Sequence, residues 1–367
     1  MKREPPWAGP GRVVHVVGRV TDEVIGFLGP ATHALARAGL DQAVVMIDEL
    51  RLRQHVSKLH ESAELVLTPT RRNPITQWRD VLQACRAVLQ HGDVHAIHLH
   101  GLKPCLVGTY AARAAAVQAP IFYSPHGSRS LGALGALGAL GSIAMWLARP
   151  VLPTSRGAVI VNALQETRAF EHWNPAELVE NPVGDAFFAV PRNEARHPLI
   201  VTGGRAPNVR AVELVAQLAV LLGGGDPHIS FNWIGGVDEV SRTRLAAAGV
   251  GIFDAAADTA PAARLASGWI GLAPVRSSGF PRFLVEAMAA GLPCIALDCP
   301  QHREVIRAGE TGYLCVSERD MMERIATLID DPDLRARLGA AAQAEAQRRF
   351  GESAFALRLR TAYALPT

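Results

Sequence analysis

Eleven short apolar runs, separated by segments with helical periodicity, restrict the fold of this 367-residue chain more than any other feature. Strands that are apolar on both faces are typical of parallel sheets covered by helices, and the regular alternation predicts crossover connections between them. We therefore predict an α/β protein with doubly wound parallel sheets. The runs are RVVHVVG (12–18), QAVVMI (42–47), VHAIHLH (94–100), APIFYS (119–124), GAVIVN (157–162), HPLIVTGG (197–204), HISFNWIGG (228–236), GVGIFD (249–254), GWIGLAP (268–274), LPCIAL (292–297) and GYLCV (312–316).

Chain length and one polar stretch predict two domains. A single core rarely organises this many residues, and 49% hydrophobic residues supply ample apolar surface. The proline-rich, charged stretch PVGDAFFAVPRNEARH (182–197) is the best candidate for a linker. We predict a first Rossmann-like domain over residues 1–188, a second over 189–350, and a C-terminal helix over 351–367 that could pack back on the first. Two such domains facing each other would form a cleft lined by the carboxyl ends of their strands.

Charge is distributed unevenly along the chain. Residues 1–156 carry 17 Lys and Arg against 10 Asp and Glu, whereas the remaining residues carry 20 against 24. A basic first half suits an anionic membrane surface or an acidic ligand, although an ordinary solvated surface has the same composition. No dense Lys/Arg run is interleaved with aromatic residues, so we expect no nucleic-acid partner.

The cysteines and the amino terminus indicate a cytoplasmic protein. Five cysteines are scattered without a CxxC pair, which predicts reduced thiols and argues against zinc or redox chemistry. The amino-terminal sequence MKREPPWAGPGR lacks the apolar core of a signal peptide. The uncharged stretch LGALGALGALGSIAMWLA (131–148) is at the short limit of a membrane span, but its four glycines also allow a buried hairpin or a membrane-surface element.

The stretch RSSGFPRFLVEAMAAGLP (276–293) predicts a helix whose first turn could bind a ligand. Pro281 is suited to a first helical turn, so free amides of Arg282 and Phe283 would form an anion site. Glu286 lies among apolar neighbours in the sequence, and a buried carboxylate is costly without a partner. It could pair with Arg282 or accept hydrogen bonds from two hydroxyls of a sugar ring, and we favour the sugar.

Two arginines follow another predicted strand. The segment TGGRAPNVR (202–210) places Arg205 and Arg210 five residues apart at a strand end. Their guanidinium groups could clamp a diphosphate and stabilise the negative charge that develops when it leaves. For either arginine alone, an exposed surface position is the simpler interpretation. The spacing of a Walker loop is absent.

The histidines of VHAIHLHG (94–101) raise the question of a metal. His98 and His100 share one face of a strand, but no cysteine or carboxylate accompanies them at ligand spacing, so we predict no metal site. His126, beside a glycine just after a strand, is the better functional candidate. No GxGxxG motif follows the first strand, and no GxSxG motif is present, which argues against dinucleotide binding and serine hydrolase chemistry.

Together these motifs resemble the retaining GT-B glycosyltransferases of glycosyltransferase family four. The resemblance spans nearly the whole chain. It implies a nucleoside diphosphate sugar held mainly by the second domain, an acceptor site in the first domain, and no metal or other cofactor. The segments that carry it are IVTGGRAPNVRAVELVAQL, SGFPRFLVEAMAAGLPCIALDCPQHREVIRAGETGYL and, in the first half, VHAIHLHGLKPCLVGTYAARAAAVQAPIFYSPHG.

The resemblance also implies roles for single residues. Arg205 and Arg210 would hold the diphosphate, with Arg210 at a position where the family usually has lysine. Glu286 would bind the ribose hydroxyls, and His126 would contact the transferred hexose near the reacting carbon. The catalytic candidates are His126, Arg205 and Arg210, and the donor-binding candidates are Gly204, Arg205, Arg210, Ser278, Gly279, Phe280, Arg282, Phe283, Glu286 and Glu304. Front-face chemistry, assisted by the leaving phosphate, would need no protein nucleophile.

Two departures from the family pattern bear on activity. The first of the family's paired acids falls on Ser278, eight residues before Glu286, so its charge-assisted hydrogen bond to the donor sugar would be lost or replaced by a weaker one. The second departure is PQHRE (300–304), where many members have paired glycines, and we interpret it as a family variant.

We therefore predict a retaining glycosyltransferase, with a hexose as the expected sugar, that acts on a glycan or lipid-linked acceptor in surface polysaccharide or glycolipid biosynthesis. It would be cytoplasmic, and its basic first domain could contact the inner face of the cell membrane. The alternatives are a nucleotide-sugar-binding protein that lost activity with the acid at Ser278, and a hydrolysing 2-epimerase on the same fold.

Overall fold

The structure, a computed structural model, describes residues 11–49, 55–126, 157–164, 167, 176–204, 209–253, 261–276 and 280–365. The chain divides into two compact units. The first comprises Met1–Pro182 with Ser353–Thr367, and the second comprises Val183–Glu352.

Strands and helices alternate in both units. The strands are β1 (Arg12–Val17), β2 (Asp41–Asp48), β3 (Ala63–Pro69), β4 (Val94–His100), β5 (Ile121–Ser124), β6 (Val159–Val161), β7 (Ala176–Leu178), β8 (Leu199–Gly203), β9 (Ser230–Ile234), β10 (Gly251–Phe253), β11 (Ile270–Ala273), β12 (Cys294–Leu297) and β13 (Gly312–Cys315). The helices are α1 (Asp22–Arg37), α2 (Pro74–Leu89), α3 (Leu102–Ala114), α4 (Ala186–Ala189), α5 (Val209–Gly225), α6 (Glu239–Ala247), α7 (Pro261–Ala266), α8 (Arg282–Ala289), α9 (Pro300–Arg303), α10 (Glu318–Asp330), α11 (Pro332–Phe350) and α12 (Glu352–Ala362).

The described strands of the first unit form one parallel sheet in the order β3-β2-β1-β4-β5-β6-β7. Helices α2 and α3 cover one face of this sheet, and α1 and α12 cover the other. The chain therefore returns to the first unit at its C-terminal end, where Phe355 of α12 packs edge-to-face on Phe27 of α1 with 5.5 Å between ring centroids.

The second unit contains a parallel sheet in the order β10-β9-β8-β11-β12-β13. Helices α8 and α11 pack on one face, and α5 and α10 pack on the other. Each core is built from apolar side chains on both faces of the central strands, which explains why these strands are continuous apolar runs in the sequence.

All eleven predicted runs contain a strand, so the prediction of doubly wound parallel sheets is confirmed. The prediction missed β3 and β7, which are the edge strands of the first sheet. β3 mixes buried and exposed residues, and β7 has three residues of which none is buried. Neither strand therefore has the apolar run of a strand that is covered on both faces.

Residues 183–197, most of the stretch predicted as a linker, belong to the second unit. The Arg192 guanidinium donates to the carbonyl oxygens of Ala266 and Gly268 at 3.1 and 2.8 Å. These bonds use a charged side chain to satisfy buried backbone groups, which is why a proline-rich and charged segment can be ordered. The units accordingly divide between residues 182 and 183, whereas the sequence placed the boundary between 188 and 189.

The five cysteines are buried and unpaired. Burial raises the pKa of Cys85 and Cys105 to about 12, so both are thiols at neutral pH.

The described helices include none that is both long and apolar enough to cross a bilayer. The apolar stretch 131–148, for which three interpretations were open, lies outside the described residues.

Candidate functional site

Each sheet contains one pair of neighbouring strands at which the strand order reverses. From one strand of the pair, successive strands are added toward one edge of the sheet, and from the other they are added toward the opposite edge. These pairs are β1 and β4 in the first unit, and β8 and β11 in the second. Loops that follow such a pair diverge and leave a crevice at the carboxyl ends of the strands, where ligands of doubly wound sheets bind. The predicted site residues that the structure describes lie at or next to these two places.

Backbone atoms approach one another closely at the end of β8 in the second unit. A Cβ atom at Gly203 would lie 2.2 Å from the carbonyl oxygen of Ile234, and one at Gly235, whose φ is +135°, would lie 2.3 Å from that of Gly204. Only glycine tolerates such contacts. The amide of Gly204 donates to the Ile234 carbonyl at 3.2 Å. This glycine turn, residues 203–204 with Gly235, lets a ligand approach the backbone of the predicted residue Gly204.

Helix α8 begins beside the glycine turn. A Cβ atom at Gly203 would lie 3.1 Å from Cδ2 of Phe283, so the first turn of α8 contacts the end of β8. The helix is amphipathic, and Arg282, Phe283 and Glu286 form the face that is not buried. The buried face consists of Leu284, Val285, Ala287, Met288 and Ala289.

Glu286 lies on this partly exposed face and is not enclosed by apolar groups, contrary to the impression given by its sequence neighbours. Its side chain is 20% exposed, and Arg282 Nε donates to its Oε1 at 2.7 Å. The pairing with Arg282 that the sequence left open is therefore present. A carboxylate has about four acceptor positions, so this bond leaves capacity for ligand hydroxyls.

The start of α8 corrects one prediction. The amide of Arg282 donates to the carbonyl of Phe280 at 2.9 Å, so the prediction that this amide is free is wrong. The reason is local: Pro281 has ψ of 67°, which closes a tight turn just before the helix. Phe280 itself is fixed by its edge-to-face contact with Phe350 at 5.7 Å between centroids.

Glu304 follows β12, the strand next to β11. Its backbone carbonyl accepts a hydrogen bond of 2.7 Å from Arg349, which also pairs with the buried carboxylate of Glu345 at 3.7 Å. In the same turn, Arg303 makes two bonds of 2.5 and 2.6 Å to Asp298. The hydrogen bond from Arg303 lowers the pKa of Asp298. The variant PQHRE turn is thus held by specific ion pairs.

Three of the predicted residues, Arg205, Ser278 and Gly279, lie outside the described residues. Arg210 is described as an exposed residue in the first turn of α5. The arginine clamp and the effect of Ser278 therefore stay predictions.

In the first unit, four histidines come together near the ends of β1 and β4. His15 is in register with His98, and His100 lies two residues further along the same strand face. The ring centroids of His98 and His100 are 4.2 Å apart, and those of His15 and His100 are 5.4 Å apart. His126, just beyond β5, stacks on His100 at 5.0 Å. We call His15, His98, His100 and His126 the histidine cluster.

The hydrogen bonds of His98 have a direction that can be assigned. The Ser124 hydroxyl donates to the carbonyl of Ile160 at 2.9 Å, so it accepts from Nε2–H of His98 at 2.8 Å. Burial and the neighbouring imidazoles lower the pKa of His98 well below its usual value, so the ring is neutral and carries one proton. Nδ1 of His98 therefore accepts from the Tyr363 hydroxyl at 2.5 Å.

The other three histidines form a second chain. Nδ1 of His15 lies 3.2 Å from Nε2 of His100, and Nδ1 of His100 lies 2.7 Å from Nε2 of His126. Burial lowers the pKa of both His15 and His126 to about 3, so both are neutral at pH 7. The backbone of His126 has φ of +51°, an unfavourable region for a non-glycine residue, and the contacts of its ring offset that cost.

Ring nitrogens of His15, His98 and His100 lie within 4.8 Å of one another, which is close enough to consider a metal. Both nitrogens of His98 are already engaged, with Tyr363 and with Ser124. The rings of His98 and His100 are also stacked at an interplanar angle of 29°, an arrangement that does not direct two lone pairs at one point. The geometry is that of a hydrogen-bonded cluster and does not fit a metal centre.

Sequence reasoning found His98, His100 and His126 but missed His15 and Tyr363. His15 stands in the middle of the first apolar run, where a single histidine is an ordinary core residue. Its partnership with His98 could have been found only by predicting that β1 and β4 are neighbours in register. Tyr363 is 265 residues from His98, and no local pattern links them.

Two doubly wound parallel sheets of these strand orders in one chain define the GT-B fold, the fold of a large class of glycosyltransferases. The crystal structure of Anabaena HepE in complex with UDP and glucose is similar, with a TM-score of 0.74 and 15% identity, over 96% of this chain and 99% of that one. The lipopolysaccharide outer core galactosyltransferase WaaB in its apo form has a TM-score of 0.67 and 14% identity, over 96% and 98% of the two chains.

Sequence comparison finds a family match over part of the chain. Residues 189–345 match the family described as Glycosyl transferases group 1. The phosphatidyl-myo-inositol mannosyltransferase of Mycobacterium leprae (strain TN) is 26% identical over 324 residues, which cover 82% of this chain and 79% of that protein. Residues 189–345 are thus similar to the group 1 glycosyltransferases, and over these residues the resemblance found in the sequence is confirmed.

Proposed function

We propose that this glycosyltransferase moves a hexose from a nucleoside diphosphate sugar to a hydroxyl of a glycan or lipid-linked acceptor, with retention of configuration. One observation carries the proposal: the glycine turn contacts the first turn of α8, so the Arg282–Glu286 face lies at the point where the second sheet diverges. The charged side chains of Arg282 and Glu286 therefore lie beside the backbone of the glycine turn, at the place where a doubly wound sheet binds a nucleotide.

The groups at this place suit the parts of such a donor. The backbone at Gly204 can approach a diphosphate closely, and the guanidinium groups of Arg205 and Arg210 would balance its charge. Glu286 would accept hydrogen bonds from two ribose hydroxyls. Arg282 already bonds one carboxylate oxygen of Glu286 and would hold the other toward the ribose.

The proposed chemistry needs no covalent intermediate on the protein. As the bond to the diphosphate breaks, negative charge grows on the leaving phosphate, and Arg205 and Arg210 would stabilise it. A phosphate oxygen on the same face of the sugar would take the proton of the attacking hydroxyl, which gives retention. Neutral His126 would contact the sugar near the reacting carbon.

Similar proteins support the donor and acceptor classes. HepE has been crystallised in complex with UDP-glucose, and the mycobacterial relative is named for mannosyl transfer to a phosphatidyl-inositol. A nucleotide sugar and a lipid-linked acceptor, as used in surface polysaccharide or glycolipid biosynthesis, are therefore the first substrates to test. UDP is the first nucleotide to test.

The test of the donor site is calorimetric titration of UDP, GDP and their sugars into the native chain and Glu286→Gln. Loss of a charged acceptor for two hydroxyls should weaken nucleotide binding by about tenfold to a hundredfold. The matched control is Glu323→Gln, because Arg319 Nε donates to Glu323 Oε1 at 2.9 Å with the same four-residue spacing on α10. Equal affinity of Glu286→Gln and the native chain would contradict the role of Glu286, and absence of binding to any nucleotide would contradict the proposal itself.

The replacement of the family's first acid by Ser278 favours a second candidate, a nucleotide-sugar binder without catalysis. Donor hydrolysis or transfer by the native chain and by Ser278→Glu separates the two. Turnover by the native chain supports the enzyme. Tight nucleotide binding without turnover in either chain supports the binder.

The acceptor class also predicts where in the cell the protein acts. If the acceptor is lipid-linked, the basic first half would meet the anionic cytoplasmic leaflet of the cell membrane. The protein should float with vesicles that contain anionic lipid at low salt and be released at high salt. Recovery in the bottom fraction at low salt would show that the membrane contact is wrong.

A further inference from the structure

The hydrogen bonds within the histidine cluster run from the interior of the first sheet to its carboxyl edge. His15 lies on β1 and is fully buried, His100 is the last residue of β4, and His126 stands beyond the end of β5 and is partly exposed. The two linking contacts, of 3.2 and 2.7 Å, each join one ring nitrogen to another. Because each hydrogen bond holds one proton, the proton positions on the three rings depend on one another.

Each of these rings is neutral, which limits the arrangements to two. Burial lowers the pKa of His15 and His126 to about 3, and burial together with the neighbouring imidazoles lowers that of His100 well below its usual value. A neutral imidazole has one donor and one acceptor nitrogen. Either all three rings carry the proton on Nδ1 and donate outward from His15, or all three carry it on Nε2 and donate inward.

The inner end of the chain selects between these arrangements. Nε2 of His15 is buried and has no hydrogen-bond partner among the described residues. With inward donation this atom would be an N–H without an acceptor, and orphaned buried N–H groups are rare in proteins. With outward donation it is an unprotonated nitrogen among aromatic rings, with His98 at 5.7 Å and His100 at 5.4 Å between centroids. Outward donation leaves no buried donor unpaired, because the donor at the other end of the chain belongs to His126, which is partly exposed.

We propose that His15 and His100 are positioning residues that hold His126 in the form protonated on Nδ1, so that His126 presents a hydrogen-bond donor at the end of the first sheet. The Nε2 of His126 is occupied as acceptor, and its Nδ1–H is the group offered to a ligand. An oxygen acceptor, such as a sugar hydroxyl or a phosphate oxygen, fits this group. The assignment of that ligand to the transferred sugar rests on the proposed function, whereas the proton position does not.

The tautomer can be read directly by nitrogen NMR of the full chain labelled with ¹⁵N-histidine, without any ligand. The His126 signals are identified as those missing from His126→Asn. We expect His126 to show a protonated Nδ1 and an unprotonated Nε2, although free neutral histidine favours the opposite form. A protonated Nε2 on His126 in the native chain overturns the proposal without any further variant.

Two variants test whether the form is imposed through the chain. His100→Phe keeps a flat ring between His98 and His126 but removes both nitrogens, and His15→Phe removes only the distant member. Each should return His126 toward the form protonated on Nε2 and should lower kcat about tenfold, with little change in the KM of the donor. The matched control is Tyr363→Phe, which removes a hydrogen bond to His98 but leaves the second chain intact and should not move the His126 signals.

The outcomes separate this proposal from the proposed function. If neither phenylalanine variant changes the His126 signals, the chain does not act through His15 and His100 and the inference is wrong. If the signals behave as expected but the native chain binds no nucleotide, the proposed function fails and the proton assignment stands. Rescue of kcat in His100→Gln, whose amide can both accept and donate, would support positioning over a packing role.

Discussion

In the first unit, four histidines, Ser124 and Tyr363 form a group of neutral side chains joined by hydrogen bonds, and all of them except the partly exposed His126 are buried. In the second unit, the buried carboxylate of Glu345 pairs with Arg307 at 2.8 Å, with Arg348 at 2.8 Å and with Arg349 at 3.7 Å. One unit thus buries polar groups by removing their charge and the other by compensating it. Burying polar atoms is unfavourable in both units, but one unit keeps the buried groups neutral and the other pairs them with opposite charges. The stability of the two units should therefore depend differently on pH.

The sign of each response follows from the pKa shifts. In the histidine cluster, burial lowers the pKa of His15 from 6.5 to about 3, so the unfolded chain binds more protons between these values and the folded state loses stability as pH falls below 6.5. Burial raises the pKa of Glu345, but the hydrogen bond from Arg348 and the charges of Arg307, Arg348 and Arg349 outweigh it and lower the pKa. The stabilisation by Glu345 is therefore complete above pH 4.5 and is lost only below it.

Acidification from pH 7 to pH 5 should lower the free energy of unfolding of the first unit more than any of the substitutions described below, and it should affect the second unit less. His15 and His126 would each cost about 2 kcal/mol at pH 5, since one pKa unit corresponds to about 1.4 kcal/mol. Pulse hydrogen exchange after equilibration in urea, resolved by peptide, should show a lower midpoint for the first unit. Among the described histidines of the second unit only His302 has a pKa that burial lowers, so the midpoint of this unit should move less. Equal shifts of the urea midpoint in both units would contradict the expected difference in pH response between the neutral histidines and the charge-compensated Glu345.

Glu345→Gln should destabilise the second unit by about 3 kcal/mol, because it removes a buried negative charge that pairs with three guanidinium groups. The urea midpoint of the second unit at pH 7 measures this effect. Glu310→Gln is the matched control, since Glu310 pairs with the same Arg307 at 3.4 Å but its side chain is 66% exposed. If the two variants lose the same stability, burial of Glu345 is not the reason for its contribution.

Tyr363→Phe should destabilise the first unit by about 1 to 3 kcal/mol, because Nδ1 of buried His98 would lose its donor. The ring can stay in place, stacked on Phe122 at 4.6 Å between centroids. The midpoint of the first unit at pH 7 reports the loss, and Tyr110→Phe, at a tyrosine that is 59% exposed, should leave it unchanged. A loss in the control as large as in Tyr363→Phe would contradict the role of the hydroxyl.

Glu286→Gln and Glu323→Gln should have the smallest effects on stability, about 0.5 kcal/mol or less each. Both remove an arginine pair on a helix surface, with Arg282 and Arg319 exposed by 53% and 86%. Thermal unfolding without ligand measures this. A large loss of stability in Glu286→Gln would mean that its carboxylate is structural, and its effect on nucleotide affinity would then say little about ligand contact.

Much of the fold was predictable because central strands and covering helices leave local patterns. The edge strand β3 was not, since it is covered less completely and its composition is mixed. The contacts of residues 182–197 were not predictable either: charge and proline indicate exposure, but Arg192 bonds to Ala266 and Gly268, which are more than seventy residues away.

The candidate site was predictable in part. Glycine and proline positions indicated the loops that end at Gly204 and Phe280. Glu286 was found as a carboxylate among apolar sequence neighbours, and the family resemblance supplied its role at the ribose. The engagement of the Arg282 amide with Phe280 depends on one backbone angle at Pro281, which composition does not determine.

The sequence by itself determined the parallel sheets and their helices, the glycines at the end of β8, and the resemblance to the group 1 glycosyltransferases, because each depends on short-range patterns. Only the tertiary structure decided that His15 meets His100, 85 residues away, and that Tyr363 meets His98. Strand order and register set these contacts, and both result from packing between elements that are distant along the chain. The protonation of the histidines follows from the same packing, because burial keeps their rings neutral.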